Sequence, residues 1–330
     1  MSSPVVSFVI ATHDGHEVLG RCLDSIARQT LRNFEVLVFD NASAHGTTDA
    51  MRERDARFTS QRCERNLGFA AANNRAIAGT RGEFVALVND DAWLEPHWAE
   101  TMVRALEAQP KAGAAAGRTM QAAHPELVDA AGFDFYSCAA IYCWRNLPAA
   151  RLTNATHQPF GPVASVAMYR RSALASVGTF QAEYFCYYED TDLAVRLVLH
   201  DFETVYVPEA LAYHAGSHTG RERSAFQIYH VRRNIEYLYW VNMLGSLAWR
   251  NLAFHLAFEA LACGRAALEG QSRAVLRAKR DAVFNAPWIL QQRRALTRTL
   301  AARRELDAAK QRLRARMRAG LPFIRARGAS

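Results

Sequence analysis

Three carboxylates fall within four residues at Glu189-Asp190-Thr191-Asp192, directly behind the aromatic run Tyr184-Phe185-Cys186-Tyr187-Tyr188. Acids at a helix start are favoured by its dipole and can cap free backbone N–H groups. Capping accounts for one or two of them. It does not account for three crowded behind apolar neighbours, where charge is costly. Crowded carboxylates beside apolar walls are how an enzyme prepares a general base or holds a cation.

A second candidate is Asn89-Asp90-Asp91, which follows the apolar run Phe84-Val85-Ala86-Leu87-Val88. Acids at a strand end suit a divalent cation resting on a phosphate, because Mg²⁺ and Mn²⁺ take oxygen ligands, usually one or two carboxylates plus phosphate and water. Asn and Asp are equally common in the turn after a strand. His214 and His218 fall in Tyr213–His218, a segment that reads as a polar loop. An imidazole there can complete a Mn²⁺-type site or stand solvated. Arg65–Asn74 reads as a Gly turn feeding a helix of small residues. Such a turn lets backbone approach a ligand or a sheet closely, and a helix N-terminus favours anions.

These residues need a scaffold, and the first two-thirds of the chain reads as alternating strands and helices. Val5–Ala11, Phe34–Phe39 and Phe84–Val88 are apolar strand patterns; Val18–Ala27, Thr48–Arg54, Phe69–Ala78 and a stretch from Pro96 to about Gln109 read as helices. Alternation of this kind predicts a largely parallel sheet covered on both faces, with ligands bound beyond the carboxyl ends of the strands. Thr12-His13-Asp14, Asp40-Asn41 and Asn89-Asp90-Asp91 all sit at those ends. Further on, Phe133–Trp144 reads as a hairpin and Val163–Tyr169 as a strand. A short helix from Ser172 ends at Gly178, an amphipathic helix covers Leu193–Leu199, and a strand over Thr204–Val207 stops at Pro208.

The 330 residues are half apolar, enough for a sizeable core. Six cysteines are scattered with no C-x-x-C pair, which argues against a zinc ribbon or disulfide framework and for a reducing compartment. Met1-Ser2-Ser3-Pro4 runs straight into a strand pattern, so a secretory leader is not expected. Net charge is +8, but unevenly spread: residues 221–330 hold 22 Lys and Arg against 7 Asp and Glu, and residues 1–220 hold 18 against 25. A mildly acidic body with a strongly basic tail suggests two jobs in one chain.

The order of the motifs resembles the inverting glycosyltransferases of family 2, with the GT-A fold. The residues that carry the resemblance are Val38-Phe39-Asp40-Asn41-Ala42-Ser43, Asn66-Leu67-Gly68-Phe69-Ala70, Leu87-Val88-Asn89-Asp90-Asp91, Gly178-Thr179-Phe180, Tyr184 to Arg196, Val207-Pro208-Glu209-Ala210 and His214. They span about residues 5–220 and are closest in flavour to the bacterial rhamnosyltransferase-like group that builds surface polysaccharides. The resemblance implies an α/β, Rossmann-like, mostly parallel mixed sheet over 1–222, with a basic helical extension over 223–330.

It also implies roles. Asp190 would be the base that deprotonates the acceptor hydroxyl, with Glu189 and Asp192 orienting the acceptor or capping the helix. Ala11, Thr12, Asp40, Asn66, Gly68, Asn89 and Asp90 would bind the nucleotide sugar, and Asp91 and His214 the metal, Mg²⁺ or Mn²⁺. The donor would be a dTDP- or UDP-linked sugar and the acceptor a saccharide, lipid-linked at the inner face of a bacterial membrane. Ala44-His45 after Ser43, and Gln181-Ala182 after Phe180, depart from the acids usual in the family. Two alternatives are a sugar-nucleotide pyrophosphorylase, whose Gly- and Lys/Arg-rich phosphate loop Thr12–His16 does not supply, and a catalytically silent membrane-associated module.

In the last third, Tyr237–Trp249 is aromatic and nearly free of charge but too short to span a bilayer, which needs about 20 apolar residues. Gln291–Arg318 reads as one long Arg-rich helix with Leu296, Leu300, Leu306 and Leu313 on one face. The expected partner of this extension is an anionic membrane surface, its own catalytic domain or another subunit. No nucleic-acid recognition motif accompanies the arginines. The expected location is cytoplasmic, peripheral at the inner membrane face.

Overall fold

The computed structural model describes residues 3–44, 55–152, 157–216 and 224–322. The helix expected over Thr48–Arg54 and the side chain of His218 lie outside them.

The first half alternates as expected: β1 (Val6–Thr12), α1 (His16–Ala27), β2 (Phe34–Asp40), β3 (Phe58–Arg62), α2 (Gly68–Ala78), β4 (Phe84–Val88), β5 (Ala92–Leu94) and α3 (Trp98–Ala108). Strands β6 (Ala112–Gln121), β7 (Val128–Ala130), β8 (Asp134–Phe135), β9 (Ile141–Tyr142) and β10 (Val166–Arg170) follow, then α4 (Arg171–Val177), α5 (Glu189–Leu199) and β11 (Glu203–His214). The described part of the main sheet runs β3-β2-β1-β4-β10-β6-β11-β5, with β7 on β6, and β8 and β9 form the expected hairpin. Parallel pairing is confined to β3-β2-β1-β4 and to β6-β11; β10 enters between them antiparallel to both neighbours. The sheet is therefore mixed rather than largely parallel.

One face of the sheet is covered by Leu19, Cys22, Leu23 and Ile26 of α1 with Trp98, Met102 and Leu106 of α3. The other is covered by α2, α4 and the Leu193–Leu197 side of α5. Small residues in β6 make that contact possible. A Cβ at Gly113 would meet Phe202 Cβ at 2.9 Å and Ala173 Cβ at 3.1 Å, so β6 must be Gly- and Ala-rich where the helices press on it.

Three expectations change. The helix over Leu193–Leu199 is not amphipathic: Thr191–Leu199 is buried all round, because α5 lies between the sheet and a second layer of helices. That layer is α6 (Ala225–Asn242), α7 (Ser246–Leu268), α8 (Ser272–Phe284), α9 (Ala286–Ala302) and α10 (Leu306–Arg316). The long Arg-rich helix is thus two, broken at Arg304, whose φ is +57°. The fold-back brings Leu300, Ala309 and Leu313 into one core with Val195, Val198 and Leu199 of α5, which a straight helix could not do. Finally, Pro208 does not stop β11. The strand passes through it with a register shift between Val207 and Leu211, a bulge that absorbs the missing N–H. Among the described residues no helix is long and apolar enough to cross a membrane.

Candidate active site

Parallel pairing puts Thr12 of β1 opposite Asp40 of β2, so the turns after these strands and after β4 emerge side by side. They open on a cleft of about 340 Å³. Ala11, Thr12, Asn66, Gly68, Asn89 and Asp90 all line it, so six of the seven residues expected at the nucleotide sugar are brought together. Asp40 is not among the lining side chains. It is fully buried beneath them, where Oδ1 accepts the Ser43 N–H at 2.8 Å and Oδ2 lies 3.6 Å from Arg62 Nη1. Its contribution runs through the turn it fixes, not through contact.

The floor of the cleft is tightly tied. Thr12 Oγ1 donates to Asp90 Oδ2 at 2.5 Å. Burial, with Asp91 adding to it, pushes the Asp90 carboxyl up to about 6 against the pull of that hydrogen bond. Gly15 is essential to the arrangement: a Cβ there would overlap Asp90 Oδ2 and stand 2.7 Å from Thr12 Oγ1. Asn41 links two turns, donating from Nδ2 to Asn66 Oδ1 at 2.9 Å and accepting the Leu67 N–H at 2.8 Å. Asn66 Oδ1 also accepts the Gly68 N–H at 2.8 Å. Gly68 itself has φ +79° and packs on Phe185, where a Cβ would come within 2.5 Å of the ring.

The end of β11 supplies the histidine. Antiparallel pairing sets His214 opposite Ala92, one residue beyond Asp91, so Tyr213 and His214, read as the start of a polar loop, are a strand end held beside the acids. His214 Nε2 lies 3.1 Å from Asp91 Oδ1, and Nδ1 lies 2.8 Å from Asp129 Oδ2. Arg145 Nε in turn sits 3.0 Å from Asp129 Oδ1. Burial alone would lower the imidazole, but the hydrogen bonds and charges of Asp129 and Asp91 outweigh it and hold His214 up to about 10. Asp129 and Arg145 were not foreseen. Both stand in the irregular 120–160 region, where nothing in spacing marks them.

These donors fit a divalent cation. A carboxylate oxygen and a ring nitrogen face one another 3.1 Å apart, a pairing a metal could bridge, while the Asp129 carboxylate behind Nδ1 orients the ring. No group of three or more His, Cys, Asp and Glu side chains suited to a metal occurs among the described residues, so a cation held by Asp91 and His214 would take its other ligands from phosphate and water. The described cleft lining also contains no Lys or Arg. A diphosphate there would need its charge met by a cation and by helix N-termini.

On the other side stand the three acids of α5, in three different environments. Asp190 Oδ2 accepts the Ala164 N–H at 3.2 Å, and Oδ1 accepts from Thr191 N at 2.6 Å and Thr191 Oγ1 at 3.1 Å. Glu189 is buried, and its Oε2 has no hydrogen-bond partner among the described residues. Burial pushes both carboxyls up, and Asp190 adds to the effect on Glu189. Charge on one of these neighbouring acids disfavours charge on the other; the deeper burial of Glu189 favours its protonation, and the three hydrogen bonds to Asp190 favour its charged form. Asp192 is fully buried, paired with Arg196 Nε at 2.8 Å and bonded by Asn242 Nδ2 at 2.8 Å and Tyr184 OH at 3.3 Å. It cannot touch an acceptor: it anchors the helix.

The two sides meet through backbone. Ala164 donates to Asp190, and the next residue, Ser165, accepts the Asn89 N–H at 2.8 Å. Cys143 is half-buried near both Asp190 and Asp129, and desolvation together with those acids pushes its thiol up to about 12.

An acid-floored cleft at the ends of parallel strands, flanked by a His–carboxylate pair and a separate hydrogen-bonded carboxylate, is the layout of a group-transfer site for a nucleotide-linked substrate. The chain belongs to glycosyl transferase family 2, whose sequence profile matches residues 7–178, just over half of it. It is 29% identical over 249 residues to the N-acetylglucosaminyl-diphospho-decaprenol L-rhamnosyltransferase of Mycobacterium tuberculosis, covering 66% of this chain and 78% of that protein. It is 35% identical over 107 residues to EpsH of Bacillus subtilis, covering 32% of this chain but only 31% of that protein. The mannosyltransferase PcManGT of Pyrobaculum calidifontis, solved with GDP-Man and Mn²⁺, matches 92% of this chain and 87% of its own with a TM-score of 0.54 at 17% identity. That likeness gives the fold, a GT-A sheet flanked by helices.

Proposed function

We propose that this chain transfers a sugar from a nucleoside-diphosphate donor to a saccharide hydroxyl with inversion, using Asp190 as the base. The observation that carries this reading is the two-residue bridge of Ala164 and Ser165, which couples the Asp190 carboxylate to the Asn89-Asp90-Asp91 turn. An acceptor hydroxyl between them would have its proton within reach of a carboxylate as it attacks the face opposite the diphosphate. The hydroxyl's high pKa makes such help worth roughly 10²–10⁴-fold. Asp91 and His214 would hold Mg²⁺ or Mn²⁺, which would screen the charge developing on the leaving diphosphate. Ala11, Thr12, Asn66, Gly68, Asn89 and Asp90 would seat the donor. The rhamnosyltransferase relative supports a rhamnosyl donor and a polyprenyl-diphosphate-linked saccharide as acceptor. The donor would be dTDP- or UDP-linked, and the acceptor presented at the inner face of a bacterial membrane.

The test is nucleoside-diphosphate release from a panel of nucleotide sugars with Mn²⁺ or Mg²⁺ and a saccharide acceptor. Asp190→Asn should lose roughly 10²–10⁴-fold in turnover with its thermal midpoint kept. Asp91→Ala should abolish metal stimulation. Full turnover by Asp190→Asn would remove the base assignment.

A further inference from the structure

Every exposed large hydrophobic side chain among the described residues lies between Phe226 and Leu290. The concentration is greatest on α7. Its outward positions include Trp249, Phe254, Leu256, Leu261 and Leu268, exposed by 72, 44, 58, 58 and 91%, with alanines and Gly264 between them. The charged side chains on that outward half are Arg250 and Arg265; the helix's one acid, Glu259, is turned inward onto Arg232 and Lys279. At about 1.5 Å per residue the strip from Trp249 to Leu268 is roughly 29 Å long. Leu276, Val283 and Phe284 of α8 and Leu290 of α9 are also exposed. Trp249, Val283 and Leu290 share the lining of one largely apolar cavity of about 610 Å³, which joins the three helices into one surface. The nine side chains on these three helices expose on the order of 1,000 Å² of apolar area, more than a monomer ordinarily leaves in water.

We infer that this surface docks on an anionic phospholipid bilayer. The charge around it selects that occupant. Residues 246–302 carry nine basic side chains against three acidic ones. Glu259 is buried, and Glu269 and Asp281 are each bonded to a neighbouring arginine. Arg250, Arg273, Arg277, Arg280, Arg294 and Arg298 are exposed. A second copy docking through the same face would bring like arginines together, whereas an anionic leaflet complements them. Apolar side chains edged by arginine, with a tryptophan at one end, match a helix lying in the interface plane. The inference concerns where the chain sits, not which bond it makes, and it stands or falls separately from the Asp190 assignment.

The test is flotation of the full chain with phosphatidylglycerol-containing vesicles and with pure phosphatidylcholine vesicles. Partition onto the anionic vesicles should exceed that onto neutral ones by about tenfold or more and fall with added salt. Trp249→Ser with Leu261→Ser and Leu268→Ser, all exposed positions, should lower it by about tenfold or more with the thermal midpoint kept. Should the triple variant fold poorly, quenching by brominated lipid in the otherwise unaltered chain serves instead: it should be strong and should drop in Trp249→Phe. Wild-type protein that stays off anionic vesicles, or a triple variant that floats equally well, overturns the inference. So does a wild-type dimer that the triple variant converts to monomer, which would make a second copy the occupant.

Discussion

Asn234, on the first helix of the C-terminal layer, should set the rate of a reaction whose residues all lie before it. The loop leading into the acids is strained: Phe185, Tyr187 and Tyr188 have φ of +64°, +68° and +71°. Left-handed backbone at bulky non-glycine residues costs about 1–3 kcal/mol each and persists only where surroundings over-determine it. The determinant here is one buried amide. Asn234 Nδ2 lies 2.8 Å from the carbonyl oxygens of Tyr184 and Cys186 and 2.7 Å from that of Tyr187, sharing its two N–H bonds among three acceptors. Asn234→Ala takes this donor from the Cys186 and Tyr187 carbonyls at about 1–3 kcal/mol, while the Tyr184 carbonyl keeps Arg233 Nη2 at 2.9 Å. The loop can recover that, and its strain, by relaxing to ordinary φ, which carries Phe185 and Tyr187 out of the cleft and turns the start of α5.

A bias of about 2 kcal/mol leaves the competent loop roughly 30-fold less populated, so kcat/KM should fall by about that factor. Asn234→Asp is the sharper variant. It keeps the shape but points carboxylate oxygens at three carbonyl oxygens, so it should fall below the alanine variant. Nucleoside-diphosphate release measured beside thermal unfolding is the assay. An Asp variant more active than the Ala variant, or an Ala variant at full rate, would refute the idea that the amide acts as a donor clamp.

Gly15→Ala should push Asp90 off Thr12 and weaken nucleoside-diphosphate binding by on the order of tenfold, read by calorimetry; unchanged affinity would contradict it. Glu236 bonds Lys279 and His255 at 2.5 and 3.2 Å. Burial opposes but these partners prevail, pulling its carboxyl from 4.5 down to about 2. A depressed acid gives stability that is full above its unfolded value and lost as pH falls through the folded one, here about 3 kcal/mol. Glu236→Gln should therefore flatten the unfolding free energy between about pH 4.5 and 2, measured by urea titration. A chain ending near residue 222 would strip Ile235, Leu300 and Leu313 from Val195, Val198 and Leu199, each buried side chain worth about 1.5–3 kcal/mol. It should lose cooperative unfolding and turnover, and a truncated chain with the full-length melting temperature would count against this.

The parts of the site that follow from local chemistry were legible in the sequence. Apolar runs ending in polar triplets marked β1, β2 and β4, and parallel pairing then forces their ends together. What depends on long-range packing was not. Strand β6 is Ala- and Gly-rich, with no strand preference of its own, because α4 and α5 leave its face no room. β3 reads Phe-Thr-Ser-Gln-Arg, too polar to signal a strand, and among the described residues it pairs only with β2. Asp129 acquires meaning only because a three-residue strand on β6 brings it to His214. Asn234 sits mid-helix among residues chosen for burial, and no motif announces an amide that serves a loop nearly fifty residues upstream.

The acid run itself shows how neighbours divide labour among identical groups. Glu189, Asp190 and Asp192 share one helix turn and one dipole, so the dipole cannot distinguish them. Partners do. Asp192 meets a guanidinium and two neutral donors and becomes a permanent anchor, tying α5 to α6 through Asn242. Asp190 meets a backbone N–H and a threonine, enough to hold charge without neutralising it, and so stays basic. Glu189 is buried with its Oε2 unpartnered among the described residues, which favours its neutral form and lessens the repulsion on its neighbour. With Asp192 salt-bridged and Glu189 favoured neutral, Asp190 is the carboxylate of the three left to serve as the proposed base.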